Sequence, residues 1–273
     1  MSSVMTTNIT INGAGGRMGR ALVQVCCASE HTTLLAALAR ATADCCGQDA
    51  GTVAGIDKQH LAVISDRSAI PQQPYVWVDF TLPDGVLDAL AFCTQESVPM
   101  VIGTTGLNST QKDLIEDASH TIPIVFAPNM SVGVNLCLSI LKTAARTLGQ
   151  EYDVEIVEAH HKNKLDAPSG TALRMGEVVA EALDVDLADN AEYVRHGNLG
   201  TRKKGAIGFQ SVRAGDIVGE HTVTFAGVGE RIEIAHKASS RMTFAQGAMR
   251  AADWLSEQPA GLYDMQDVLR LKT

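Results

Sequence analysis

The densest group of residues able to do chemistry lies in one short segment, residues 158–171. It contains two adjacent histidines, His160 and His161, whose imidazole rings gain or lose a proton near neutral pH. Lys164 follows, and its mobile positive charge suits either a carboxylate or the delivery of a proton. The segment therefore predicts a site where a small anionic molecule accepts a proton.

The same segment ends with the signal for a helix. Ser169-Gly170-Thr171 opens this helix, and either Ser169 or Thr171 can cap it. The first N–H groups of a helix have no partner inside the helix and can hold a carboxylate. Together with Lys164, this start predicts a site for a dianionic small molecule that accepts a hydride and a proton.

Two other interpretations of the segment remain open. A metal site is less favoured, because adjacent histidines point in different directions, no third ligand is evident, and neighbouring lysines repel a cation. We therefore expect no metal. The segment could also be an ordinary basic surface loop that ends at Pro168.

A glycine-rich turn follows the first strand-like run of the chain. Residues 9–12 lead into Gly13-Ala14-Gly15-Gly16-Arg17-Met18-Gly19, and a helix follows. Glycine lets a backbone turn sharply and approach a pyrophosphate, and the helix N-terminus favours the anion. Arg17 can add a charge-assisted contact. The usual fingerprint has its third glycine where Met18 stands, and a glycine turn without a ligand is the alternative.

The end of the second strand bears on the type of dinucleotide. NAD-specific enzymes place an acidic residue there to bond the ribose hydroxyls, whereas this chain has Ala39 and then Arg40. Arg40 can pair with a 2′-phosphate, which favours NADPH. An ordinary solvated surface arginine is the alternative.

Two further turns follow predicted strands. They are Gly103-Thr104-Thr105-Gly106 and Ala127-Pro128-Asn129-Met130. The carboxyl ends of strands line the ligand crevice in open α/β sheets, where threonine and asparagine can bond ribose or carboxamide. We interpret both turns as cofactor contacts rather than simple turns.

The first half of the chain alternates short apolar runs with helix-like segments. This order predicts a parallel sheet with right-handed crossovers, an α/β fold of the doubly wound, Rossmann-like type. The predicted strands are Ile9–Ile11, Leu34–Leu38, Leu61–Ile64, Tyr75–Phe80, Met100–Ile102 and Ile124–Phe126, and the helices include Met18–Ala28, Gly85–Gln95 and Ser109–Ala118.

The pattern changes after these strands. Ser131 can cap a helix, and another helix is predicted from about Thr171 to Leu183. Three strand-like runs follow at 206–213, 220–226 and 231–238, and residues 221–225 and 231–235 alternate polar with apolar side chains, as half-exposed antiparallel strands do. We predict a second, α+β domain with a mixed or antiparallel sheet and helices on one face. A last helix, near residues 244–255, could pack on either domain.

Composition limits the classes of partner. The net charge of −9 argues against general binding of nucleic acid. No run approaches the roughly 20 apolar residues that span a bilayer, and residues 1–8 lack the basic start and apolar stretch of a signal peptide. The six cysteines show no C-x-x-C spacing and suit reduced thiols that fill apolar space. We expect a cytoplasmic protein that binds neither membrane nor nucleic acid.

At these motifs the sequence resembles the dihydrodipicolinate reductases over nearly its whole length. The matching segments are Gly13–Gly19, Asp79-Phe80-Thr81, Gly103–Gly106, Pro128–Asn135, Glu158–Thr171, Arg213–Asp216 and His236–Arg241. The most specific of them is the His-His-x-x-Lys loop followed by Ser-Gly-Thr. Aspartate and homoserine dehydrogenases lack that loop, and a dinucleotide-sensing regulator without turnover would not need His160 and Lys164.

The resemblance implies an activity in lysine and diaminopimelate biosynthesis. NADPH or NADH passes a hydride to the cyclic imine product of dihydrodipicolinate synthase, with loss of water, to give tetrahydrodipicolinate. His160 is then the proton donor or acceptor and Lys164 a second proton donor, while His161, Gly170 and Thr171 hold the substrate carboxylates. The implied cofactor contacts are Gly13–Met18, Gly103–Thr105 and Ala127–Met130.

The resemblance also implies an arrangement of domains. Residues 1–130, completed by 241–273, bind the dinucleotide, and residues 131–240 bind substrate and form the core of a homotetramer. Members that use NADH well often carry a glutamate where this chain has Ala39. We therefore expect NADPH to be preferred over NADH.

Overall fold

The computed structural model describes residues 6–272, so residues 1–5 of the N-terminal stretch discussed above lie outside it. The chain divides into a first unit, Met1–Val132 with Arg241–Thr273, and a second unit, Gly133–Ser240. The strands are β1 Thr7–Asn12, β2 Thr32–Leu38, β3 Val63–Ile64, β4 Val76–Asp79, β5 Met100–Ile102, β6 Pro123–Phe126, β7 Asp153–His160, β8 Ala191–Glu192, β9 Ile207–Arg213, β10 Gly219–Ala226, β11 Arg231–Ala238 and β12 Gly261–Tyr263. The α-helices are α1 Arg17–Ala28, α2 Ala50–Ala54, α3 Pro83–Gln95, α4 Ser109–Ser119, α5 Val132–Leu148, α6 Gly170–Ala182, α7 Leu187–Asn190, α8 Met242–Leu255 and α9 Met265–Val268.

The first unit is built on a parallel seven-stranded sheet in the order β12-β6-β5-β4-β1-β2-β3. The chain builds outward from β1 to β3 and then crosses back to place β4 on the other side of β1. Strands such as β4 and β5 are buried along their whole length, because helices cover both faces of the sheet. This confirms the doubly wound, Rossmann-like prediction. The point where the strand order reverses, between β1 and β4, is where such sheets bind ligands.

Helix α8 belongs to the first unit, which resolves the packing left open by its periodicity. Its alanines at positions 245, 248, 251 and 252 are buried with Leu255 in the core that also holds β1 and α1. The helix approaches so closely that a Cβ at Gly247 would lie 1.7 Å from the Met130 carbonyl oxygen. Small side chains therefore let α8 lie directly on the backbone of this unit.

Most strands of this sheet begin and end within two residues of the prediction, but β3 has half of its expected residues and β12 is additional. Leu61 and Ala62 were expected in β3, but Ala62 forms an antiparallel bridge with Asp49, and the Leu61 amide donates to the Asp49 carboxylate. The strand β12 was not predicted, because its three residues carry no periodicity that could distinguish them from a turn.

The second unit contains a five-stranded mixed sheet in the order β11-β10-β7-β9-β8. β7 is parallel to β9 and antiparallel to β10, which confirms the mixed-sheet prediction. Residues of β7, β9 and β10 alternate, so that Ile156, Phe209 and Val223 pack under α5 and α6 while their neighbours face away. No helix among residues 6–272 is long and apolar enough to span a bilayer.

Candidate functional site

The glycine turn of the first unit has the geometry of an anion-binding loop. β1 ends at Asn12, and Gly13 adopts a left-handed φ of +78°. The amides of Gly13 and Ala14 both donate to the Leu38 carbonyl, each at 2.9 Å, which holds the turn against the end of β2. The chain then enters α1, whose first-turn amides have no acceptor inside the helix.

The position of the last glycine explains the unusual spacing of the motif. A Cβ at Gly19 would lie 2.1 Å from the Gly13 carbonyl oxygen and 2.7 Å from the Ala14 Cα. Only glycine lets α1 pack this closely on the turn. Gly16, the residue before the helix, offers no side-chain cap, and Arg17 is exposed, so the first turn is open toward solvent.

A buried carboxylate supports the turn from behind. Asp79, at the end of β4, accepts hydrogen bonds from Asn12 Nδ2 (2.7 Å) and Trp77 Nε1 (3.2 Å) through one oxygen. Its other oxygen accepts from the amide and the hydroxyl of Thr81 at 2.9 and 2.6 Å. This network joins the carboxyl ends of β1 and β4, the strands between which the sheet order reverses.

The turn after β5 uses its side chains unequally. Phe80 covers Gly103, where a Cβ would meet the ring at 2.2 Å. The buried Thr104 donates its hydroxyl to the Thr81 carbonyl at 3.0 Å, whereas Thr105 is exposed. Of the two threonines, Thr105 is therefore the one whose side chain can meet a ligand.

In the turn after β6, several side chains are also buried or hydrogen-bonded within the protein. Ala127 and Met130 are buried, and the Asn129 side-chain oxygen accepts from the Ser131 amide at 2.9 Å. Pro128 is exposed. A ligand at this turn would be met by main chain and by Pro128 rather than by the asparagine oxygen.

Arg40 lies exposed just beyond the end of β2. The amide of its neighbour Ala39 donates a hydrogen bond to the Ile64 carbonyl at 3.0 Å. Across residues 6–272 the Arg40 guanidinium has no hydrogen-bond or ion-pair partner, in contrast to Arg67 and Arg213. Because β1, β2, β5 and β6 are parallel, the predicted cofactor residues all follow the same edge of the first sheet.

In the second unit, β7 ends in a histidine–carboxylate pair. Two-residue alternation puts Glu158 and His160 on the same face of the strand, where His160 Nδ1 lies 2.6 Å from Glu158 Oε2. Arg213, on the neighbouring β9, donates to both oxygens of the carboxylate at 2.9 and 2.7 Å. Burial would raise the pKa of Glu158, but hydrogen bonds from Arg213, Ser211 and His160 outweigh it and lower the pKa to about 2.

The environment of His160 favours the neutral ring. Burial is the main cause that lowers its pKa, and the charges of Lys164 and Arg213 act in the same direction against the opposing effect of Glu158. The other ring nitrogen, Nε2, faces Gly219. Any other residue there would place a Cβ 3.1 Å from Nε2, so the glycine keeps this nitrogen open. A histidine held at one nitrogen and uncrowded at the other is suited to proton exchange.

The loop after β7 gathers the other predicted substrate residues. The Lys164 amide donates to the His161 carbonyl at 3.0 Å, and the Lys164 ammonium pairs with Asp166 at 2.8 Å. His161 is half-buried, and within the described chain its Nδ1 is buried without a hydrogen-bond partner. A bound molecule could satisfy that nitrogen.

Ser169, rather than Thr171, caps helix α6. Its hydroxyl oxygen accepts from the Ala172 amide at 3.1 Å and lies 2.9 Å from His221 Nε2. Its own amide donates to Glu158 Oε1 at 3.2 Å, which ties the helix start to the buried carboxylate. Gly170 and Thr171, which begin the helix, are exposed and half-buried.

Glu158, Arg213 and His221 had no role in the sequence prediction, although the first two lie in the matching segments. The signal for Glu158 was present, since a strand residue two positions before a histidine shares its face. Arg213 and His221 lie 53 and 61 residues from His160 in sequence, and only the pairing of β9 and β10 with β7 brings them together.

Comparison with known families covers almost the entire chain. Residues 7–130 match the family described as dihydrodipicolinate reductase, N-terminus, and residues 133–269 match its C-terminal counterpart. A 4-hydroxy-tetrahydrodipicolinate reductase from Hahella chejuensis (strain KCTC 2396) is 55% identical over 266 residues, which are 97% of this chain and 100% of that protein.

A solved structure of a dihydrodipicolinate reductase also matches nearly the whole chain. The dipicolinate-bound dihydrodipicolinate reductase from Paenisporosarcina sp. TG-14 superposes with a TM-score of 0.74 at 26% identity, covering 96% of this chain and 99% of that one. An oxidoreductase from Agrobacterium radiobacter, in complex with NAD+, L-tartaric acid and magnesium, gives a TM-score of 0.62 at 10% identity over 98% and 93% of the two chains. At that low identity the likeness shows a shared fold only.

Proposed function

Because this chain belongs to the dihydrodipicolinate reductase family, we propose that its two units carry out one pyridine-nucleotide-dependent reduction, of 4-hydroxy-tetrahydrodipicolinate to tetrahydrodipicolinate with loss of water. The chain is an oxidoreductase of lysine and diaminopimelate biosynthesis. The observation that carries the proposed chemistry is the Glu158–His160 pair, with Lys164 and the capped start of α6 in the same unit.

The residues of the first unit fit a dinucleotide. Gly13, Gly15 and Gly16 carry no side chain of their own where a pyrophosphate would approach, and Gly19 brings α1 close enough to present its first amides. We assign cofactor binding to Gly13–Met18, Arg40, Gly103–Thr105 and Ala127–Met130. When bound, the reduced nicotinamide supplies the hydride.

Arg40 supports a preference for NADPH over NADH. Its guanidinium is exposed and unpaired in the described chain, and Ala39 places no carboxylate against a 2′-phosphate. Arg40→Ala should raise the KM for NADPH by roughly tenfold and change the KM for NADH little. Arg250→Ala, at an exposed position on α8, is the control. Equal KM values for the two cofactors in the unmodified enzyme would contradict the preference.

The second unit fits a dicarboxylate. The first amides of α6, at Gly170 and Thr171, would present the favourable end of the helix dipole to a substrate carboxylate. The unsatisfied Nδ1 of His161 offers a further polar contact. The Lys164 ammonium already pairs with the Asp166 carboxylate, so a substrate carboxylate would compete with Asp166 for Lys164. The dipicolinate carried by the structural relative is itself a dicarboxylate.

His160 and Lys164 are the proposed proton carriers. His160 exchanges a proton with the substrate, and Lys164 acts as a second donor. Since burial, and with it the positive charges of Lys164 and Arg213, lowers the pKa of His160, the imidazolium is a stronger acid than an isolated one and releases its proton more readily.

The test is turnover with substrate made in situ by the synthase, followed by NADPH oxidation. We expect His160→Gln and Lys164→Ala each to lower kcat by roughly a hundredfold or more. The matched controls are His196→Gln and Lys162→Ala, which change exposed side chains of the same type. Near-normal turnover in both site variants would reject these roles.

We further propose that the first unit is the dinucleotide domain and the second the substrate and oligomerisation domain of a cytoplasmic homotetramer. Two observations support this assignment: the strand order of the first sheet reverses beside the glycine turn, and in the described residues the second sheet packs one face on α5 and α6 while Val157 and Val212 on its other face are exposed.

A further inference from the structure

We propose that Glu158 is a positioning residue for His160: held by Arg213, Ser169 and Ser211, its carboxylate keeps a proton on His160 Nδ1 and leaves Nε2 as the atom that exchanges a proton with substrate. This inference rests on the proposed role of His160 as the acid–base group.

The hydrogen bonds around Glu158 determine which histidine nitrogen carries the proton. Oε1 accepts from Arg213 Nη2 and the Ser169 amide, and Oε2 accepts from Arg213 Nη1 and faces His160 Nδ1 at 2.6 Å. Glu158 is only 1% exposed, so these donors replace water and keep it ionised, in line with its pKa of about 2. An ionised carboxylate only accepts hydrogen bonds, so Nδ1 must be the donor.

The tautomer follows from this contact. With the proton on Nδ1, neutral His160 has its lone pair on Nε2, and the imidazolium has its acidic N–H there. Within residues 6–272 Nε2 has no hydrogen-bond partner, and Gly219 leaves space beside it. The charged and titratable groups that act on the ring are Glu158, Lys164, Arg213 and His221. Glu158 is the one anion among them.

The competing explanation is that Glu158 has only a structural role, in which its hydrogen bonds connect β7 to β9 and to the start of α6. Glu155 provides a matched control for this. It lies on the same strand, on the opposite face, and its carboxylate is bound by Arg195, Arg202 and Gln210 without a histidine. The Glu155 side chain is 24% exposed and that of Glu158 1% exposed, so a purely structural effect of losing a paired strand glutamate should appear in Glu155→Gln in weaker form.

The experiment combines NMR with kinetics on the full chain. In protein labelled with ¹⁵N-histidine, and with His160→Gln used for assignment, the neutral His160 ring should carry its proton on Nδ1. Glu158→Gln should remove that preference, move the titration midpoint of His160 to lower pH, and lower kcat by roughly tenfold or more. The KM for NADPH should not change. Glu155→Gln should leave the ring and kcat unchanged.

The outcomes separate this inference from the function on which it rests. An unchanged tautomer and midpoint in Glu158→Gln, or equal effects in Glu155→Gln, would overturn the positioning role. A changed tautomer and midpoint with normal kcat would support positioning and instead reject His160 as the proton carrier. If Glu158→Gln does not fold, Glu158→Asp provides a second test, because its side chain is one methylene shorter and moves the carboxylate away from His160. A lower midpoint and reduced kcat in it would support the role, and wild-type values of both would refute it.

Discussion

At the scale of single residues, the second unit shows how one strand supports two separate arginine–carboxylate clusters. Glu155 and Glu158 face opposite sides of β7, and each is bound by arginine. The Glu158 cluster lies in the interior, where removing one partner of a buried pair typically costs about 3–5 kcal/mol. The buried cluster therefore couples the stability of the unit to the geometry of His160.

His221 should make stability depend on pH. Burial is the main cause that lowers its pKa to about 4, and the nearby charge of His160 adds to it. The unfolded chain would bind a proton near pH 6.5 and the folded chain only near pH 4, so the unfolded state carries more protons between these values. Stability is thus complete above about pH 7 and falls as the pH decreases through this window.

We expect His221 to account for a loss of about 2 kcal/mol between pH 7.5 and pH 5. His221→Gln should reduce the pH dependence of the free energy of unfolding by this amount, measured by urea denaturation at both pH values. His160 and His236, whose pKa values are also lowered, will leave part of the slope. The exposed His196→Gln serves as control, and an unaltered slope in His221→Gln would contradict the argument.

The sequence identified the chemically distinctive residues of the site better than those that support them. His160, His161 and Lys164 stand out by type and spacing within one loop. Asp79 and Glu158 are held by donors on neighbouring strands, Asn12 and Arg213, and strand pairing cannot be read from local pattern. His221 appeared only as part of an alternating strand, because burial and not residue type gives it a role.

At the scale of elements, α1 depends on backbone contact more than on side-chain packing at its first turn. Gly19 lies against Gly13 and Ala14 at a distance that excludes any Cβ. The same turn is held to β2 through Leu38. The orientation of the first amides of α1 is therefore set by one glycine.

Gly19→Ala should displace α1 and impair dinucleotide binding. We expect the Kd for NADPH to rise by roughly tenfold or more and the free energy of unfolding to fall by about 1–3 kcal/mol, because overpacking forces the backbone apart. Fluorescence titration and urea denaturation measure the two effects. Ala28→Gly, at an exposed end of the same helix, should cost up to about 1 kcal/mol without weakening NADPH binding. Unchanged affinity in Gly19→Ala would contradict this account.

Element type was predictable where segments are long or strongly patterned. The doubly wound order follows from alternating strands and helices, and the mixed second sheet follows from the alternation in β10 and β11. The short elements β8, β12, α2, α7 and α9 have two to five residues each, too few to complete a period. β3 was overestimated because an antiparallel bridge competes for its first residues.

At the scale of the whole molecule, the chain returns to its first unit after building the second. Arg241–Thr273 supplies α8, β12 and α9 to the unit that contains the glycine turn.

The net charge of −9 also means that the cations of the second unit act locally. Lys164 and Arg213 are each paired with a carboxylate, so the positive charges near His160 are balanced locally and do not make the protein basic.

Within residues 6–272, one face of the sheet in the second unit keeps apolar side chains exposed, which suits the proposed tetramer. This outer face carries Val157 and Ala159 of β7 and Val212 of β9, which alternate with the residues packed under α5 and α6. Val157 is 41% exposed and Val212 44% exposed in the single chain. β7 is the central strand, so a partner that covers this face would bury its apolar residues first.

Val157→Lys should therefore disrupt the assembly. A lysine at the centre of a buried apolar interface loses hydration without gaining a partner, so we expect species lighter than four times the 28.9 kDa chain mass. Light scattering coupled to size-exclusion chromatography measures this mass. Val228→Lys makes the same change in the fully exposed turn between β10 and β11 and should leave the mass unaltered. An intact tetramer in Val157→Lys would show that the subunits associate through another surface.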